Sequence, residues 1–129
     1  MPATQTILDI PATNTFSDAS QHTLSSHPAD PDCAGWLRAI VCAIRVSDGA
    51  TKEIILEAGF KRASGNVAIH SLVQVSASGS VADLVALATA NATIDAIGTD
   101  VIVRVEGLAG TEIDWSSVVR GMSTNHVAE

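Results

Sequence analysis

The residues able to carry chemistry are few in this chain, and their spacing is loose. Four histidines (His22, His27, His70, His126) and two cysteines (Cys33, Cys42) are the candidate metal ligands. A metal centre needs convergent donors at spacings such as Cys-x2-Cys or His-x3-His, and none of the six stands in one. His22 and His27 fall in a Pro- and Ser-rich stretch, while His70 falls in the middle of an alternating segment, where a strand histidine without partners is the plain expectation. Nucleophilic catalysis would want a Gly-x-Ser-x-Gly elbow, which the chain lacks. Two carboxylate pairs, Asp95 with Asp100 and Glu112 with Asp114, are spaced for acid–base work, but on alternating segments they belong to a solvated face. Gly107-Leu108-Ala109-Gly110 has no following Lys-Ser/Thr and so is no phosphate loop. No catalytic activity, cofactor or metal is expected. With residues 36–46 extended, Cys42 sits mid-strand and Cys33 precedes it, too far along the chain for easy closure of a disulfide; free, buried or half-buried thiols made in a reducing cytoplasm follow.

The elements that would position these residues are set by composition. In 129 residues the chain is 47% hydrophobic and 16% charged, enough for one packed domain. Ala, Ser and Thr supply 44 residues, whereas the aromatics are Phe16, Trp36, Phe60 and Trp115 only. Because a large aromatic buries roughly 150–250 Å², so few of them make a thin core, and association with further copies is expected to add stability. A net charge of −7 with seven basic residues, of which Lys61-Arg62 is the longest run, excludes a phosphate-binding footprint and hence nucleic acid. No stretch reaches the ~18 apolar residues of a membrane helix, and Met1 to Thr6 has no signal-peptide character; a soluble protein without a membrane partner is expected.

Residues 1–35 carry all four prolines and four acids but no Lys or Arg. They are expected to be an extended N-terminal arm, with Ile7, Leu8 and Ile10 the apolar cluster through which it docks, as an edge strand, on its own or a neighbouring subunit. From Gly35 the period becomes two. Residues 36–46 place Trp36, Ile40, Cys42, Ile44 and Val46 on one face, interrupted by Arg38. Ser47 to Ala50 is a turn with Gly49 available for a positive φ. In residues 51–61, Ile54, Leu56, Ala58 and Phe60 oppose Glu53, Glu57 and Lys61. Further strands are expected at 67–76, 93–96, 101–106 and 111–122. Residues 81–90 are open between helix, which their Ala and Leu favour, and strand, towards which the surrounding strands tip them. The expected fold is all-β, an antiparallel β-sandwich or jelly roll over residues 36–123, with a tail at 124–129. Trp36, Phe60 and Trp115 are the expected core anchors.

The string Val101 to Val119, with its Val103-x-Val105-x-Gly107-x-Ala109-Gly110-x-x-Ile113-x-Trp115 pattern, and the earlier Glu57-Ala-Gly-Phe-Lys-Arg-Ala-Ser-Gly-Asn-Val67 together resemble a β-rich module of tailed-bacteriophage virion proteins. That module occurs in tail fibres, head fibres and capsid decoration proteins, and the resemblance covers about residues 39–121. It implies a non-enzymatic, multimeric virion component, with a homotrimer favoured. The short chain, without a fibrous shaft, favours a capsid decoration (cement) protein that binds the major capsid protein on the head surface. A tail, collar or fibre-tip protein is the alternative.

Overall fold

Strand β4 (Thr51–Arg62) sets the inside of the molecule. Its Ile54, Leu56, Ala58 and Phe60 are buried, as their alternation with Glu53, Glu57 and Lys61 requires. The computed structural model describes residues 4–125. It adds β1 (Thr4–Phe16), β2 (Gln21–Pro28), β3 (Cys33–Arg45), β5 (Ala68–Ser78), a short helix α1 (Val81–Ala86), β6 (Asn91–Ile97), β7 (Asp100–Glu106) and β8 (Ile113–Asn125). The strands form two antiparallel sheets, one ordered β1-β8-β3-β4-β5 and the other β2-β7-β6. Val101, Val103 and Val105 of β7 and Ile94 of β6 share one buried cluster with Leu37, Ile54, Phe60 and Trp115 of the larger sheet, so the architecture is the all-β sandwich expected from the period-two pattern. First pairs with last and second with second-last, the nested pairing of a jelly roll, after which β3, β4 and β5 continue as a meander.

The N-terminal stretch is not an arm outside this sandwich. Residues 4–16 pair along their whole length with β8, and residues 21–28 pair with β7. Every second residue of β1 turns inward: Leu8 is buried, and Ile10, Ala12 and Phe16 pack against the core. Ile7, assigned with Leu8 and Ile10 to the docking cluster, points the other way and is 70% exposed. Pro11 does not end the strand, because on a sheet edge its missing N–H costs no ladder bond. At the other terminus β8 runs to Asn125, so 124 and 125 belong to the sheet; the rest of the expected tail, with His126, lies outside the described residues.

The phase of β3 is also opposite to the one expected. Leu37, Ala39, Val41 and Ala43 are buried, while Trp36, 45% exposed, faces outward with Ile40, Cys42 and Ile44. The cause is the match of large to small across the ladders. Ala43 lies opposite Trp115, and Gly35 lies opposite Phe60, whose ring occupies the space a Cβ on Gly35 would take. Gly121 lies opposite Leu37 and lets β8 close onto β3; a Cβ there would meet the β3 backbone. Phe60 and Trp115 are the interior anchors; Trp36 is not one.

Residues 81–86 are helical rather than extended. Ser80 caps the helix by accepting the Asp83 N–H at 3.1 Å, and the Asp83 carboxylate accepts the Thr51 N–H at 3.1 Å, a local bonding pattern that a strand would forfeit. The corner that follows is held by Lys52, whose buried ammonium donates to the carbonyls of Leu87 (3.3 Å) and Ala90 (2.8 Å) and to Asn91 Oδ1 (3.3 Å). In the 47–50 turn Gly49 takes φ 75, and Arg45 Nε donates to Asp48 at 2.9 Å, which with the Ala50 N–H holds that carboxyl down to about 2.

Two outcomes follow. Gly35→Ala, by driving a methyl into Phe60, is expected to cost about 1–3 kcal/mol, read as a lower urea midpoint with an unchanged slope. Burial pushes the His27 imidazole below its ordinary value, with Asp30 and Asp100 opposing the shift. The unfolded chain therefore takes up a proton near pH ~6.5 while the folded one stays neutral. Stability from this group is present above about pH 6.5 and is lost as pH falls through the lowered folded value. His27→Gln is expected to reduce the drop in urea midpoint between about pH 7.5 and about pH 5.5; an unaltered drop would exclude His27 as its source.

Candidate interaction surface

The inverted phase of β3 leaves the outer face of the five-stranded sheet with an unusual makeup. Opposite residues on antiparallel strands share a face, so the registers define rungs running across the sheet. One rung is Ile7, Met122, Trp36 and Gly59, the last covered by the His70 ring of β5. The next is charged: Asp9, Arg120, Arg38 and Glu57, ending on Val73. The third is Pro11, Val118, Ile40 and Ile55. Beyond it come Thr13, Ser116, Cys42 and Glu53. Two apolar rungs thus flank a charged one. Trp36, Met122, Val73 and Ile44 are between 40% and 54% exposed, and Ile7 more. Scattered apolar side chains are ordinary on a surface, but a contiguous patch of this kind on a flat sheet marks a contact site.

The charged rung is loosely paired. Asp9 lies 3.7 Å from Arg120 Nε, and Glu57 lies 3.6 Å from Arg38 Nε; the latter nitrogen is buried yet has no hydrogen-bond acceptor among the described residues. Exposed pairs at such separations contribute about 0–1 kcal/mol to stability. Their arrangement therefore matters more for what can lie on the face than for holding the fold.

Elsewhere several titratable residues are tied to neighbours. Asp95 accepts from Arg104 at 2.8 Å, Asp100 from Ser26 at 3.0 Å and Asp114 from Thr15 at 2.6 Å, so neither carboxylate pair from the sequence forms a joint site. His22 stacks on Phe16 at 4.0 Å and bonds Asp18 at 2.7 Å. Among the described residues no group of three or more His, Cys, Asp or Glu is placed to hold a metal ion. Cys33 and Cys42 are free, on opposite faces of β3, and burial pushes both thiols up. Arg38, an interruption of the apolar alternation in the sequence, is the signal for this side: an apolar strand face broken by a charge, opposite Glu57, is an outer face.

No protein-family model matches the chain, and comparison with curated proteins finds no match. Among solved structures, the tailspike protein of Acinetobacter baumannii phage AM24 aligns with a TM-score of 0.49 and 12% identity, over 94% of this chain and 26% of that one. The chain thus spans about a quarter of the tailspike's length.

The two tryptophans separate the surface from the core. In dilute solution Trp36→Ala is expected to change unfolding free energy by less than about 1 kcal/mol, whereas Trp115→Ala should cost about 3–5 kcal/mol. Equal losses in urea titration would place Trp36 back in the interior.

Proposed function

We propose that this protein is a non-catalytic structural component of a bacteriophage virion, a capsid decoration protein that seats on the major capsid protein as a homo-oligomer and stabilises the head shell. The observation that carries the reading is the outer face of the five-stranded sheet, whose two apolar rungs and exposed Trp36 lie open on the isolated chain. A surface of this kind is costly unless a partner covers it. A second apolar spot, Val81 and Val85 of α1, is 82% and 73% exposed on the connection between the two sheets, and gives the molecule another place to touch a neighbour. The Val101–Val119 string supplies the virion context through its resemblance to the phage β-module. The same resemblance supports the alternative, a tail, collar or fibre-tip protein used in attachment.

Position on the particle separates the two. In a cryo-electron microscopy map of the virion that carries this chain, density for the sandwich is expected on the head lattice, and purified protein should co-sediment with expanded shells. Density on the tail or its fibres would replace the decoration reading with the attachment one. A chain found in no particle, with no affinity for shells, would end both.

A further inference from the structure

We infer that the outer face of the five-stranded sheet pairs with a second copy of itself about a two-fold axis running parallel to β3 and β4, midway between them. Charge complementarity selects the axis. The charged rung reads acid, base, base, acid from β1 to β4. An axis between β8 and β3 would set Arg38 of one copy over Arg120 of the other and Asp9 over Glu57, like on like. An axis between β3 and β4 sets Arg38 over Glu57, twice by symmetry. It also places Ile40 over Ile55 and Trp36 over the rung position of Gly59, where it meets the His70 ring that covers that glycine. The Arg38 guanidinium, whose buried Nε lacks an acceptor at hydrogen-bond distance among the described residues, gains a second carboxylate.

The size is sufficient. With this axis the overlap is made by β8, β3, β4 and β5, about 19 Å across at ~4.8 Å per strand and about 27 Å along the strands. That is ~500 Å² in projection on each copy, and side-chain corrugation brings it towards the roughly 800 Å² per partner of a standard interface. The axis keeps the strands of the two sheets aligned, as in face-to-face sheet packing. The resulting unit is a dimer rather than the trimer that the sequence resemblance favoured. The pairing makes a second copy the cover of the face on which the proposed function rests, and leaves contact with a particle to other surfaces such as Val81 and Val85 of α1; it is read in solution, without a particle.

The test uses charge exchange. Arg38→Glu and Glu57→Arg each put like charges across the axis, and each alone is expected to weaken the dimer by about 100-fold or more. Mixed in equal amounts, the two variants restore both cross-axis pairs and should form a heterodimer within about tenfold of wild-type affinity. Sedimentation velocity with one variant labelled reads both. The wild-type chain should be dimeric, and its Trp36 should become quenchable by iodide on dilution, with Trp115 silent. A wild-type monomer or trimer, variants that still dimerise alone, a mixture that stays monomeric, or Trp36 quenching that does not change on dilution would each overturn the inference. The dilution measurement needs no variant and decides the matter even where a substitution fails to fold.

Discussion

Close approach of β8 to β3 is the constraint on which the rest of this structure depends. The two strands run side by side from Cys33–Asn125 to Arg45–Ile113, and opposite two of the largest inward side chains the position is small: Trp115 against Ala43, Leu37 against Gly121. On the other side of β3 the same rule sets Phe60 against Gly35. Fully burying a Val, Leu or Ile contributes roughly 1.5–3 kcal/mol, and an Ala far less. A chain this rich in alanine therefore cannot gain much from each residue. It gains instead from packing without voids, where alanines at the middle of β3 let a few large residues reach full burial.

Once β8 is fixed against β3, its other edge is open, and β1 closes it. The strand's inward residues are modest, Leu8, Ile10, Ala12 and Phe16, and would not hold a hairpin together. They suffice because the ladder that receives them is already formed. The fold thus joins a meander of β3, β4 and β5 and a hairpin of β6 and β7 through ladders between strands distant in sequence, first with last and second with second-last, and the loop-closure cost of those ladders must be met before their contacts reward it. Lys52 serves the same end locally. By holding the carbonyls of Leu87 and Ala90, it fixes the corner at which the chain passes from one sheet to the other.

Much of the fold was legible in the residues. Strand β4 was read with its inward face correct because charges mark its outer side at Glu53, Glu57 and Lys61. The turn at Gly49 and the strands at 67–76 and 101–106 followed from local chemistry as well. Strand β3 was legible in extent but not in phase: both faces are apolar, and the bulkier side chains lie on the outside, so size misleads where pairing decides. β1 was legible as an edge strand in its Ile7 to Ile10 cluster, but its partner and full length were hidden, because β8 lies at the far end of the chain, which no local window contains. The outer face was half visible, since Arg38 and Glu57 could be seen as charges but their meeting on one rung depends on register.

The edges of the larger sheet are unequal in kind but alike in effect. β1 carries Asp9 and Pro11; β5, free of charge, has two register shifts against β4 and a positive φ at Ser71. Each device spoils the straight ladder that another strand would need to continue the sheet. With both edges blunted, growth by edge addition is discouraged and contact falls to a face. Addition at an edge propagates without limit, whereas a face used about a closed axis is consumed once it is occupied. A five-stranded sheet with uncovered apolar rungs and blunted edges is therefore built for contact that stops at its face rather than for a fibre that runs on from its edges.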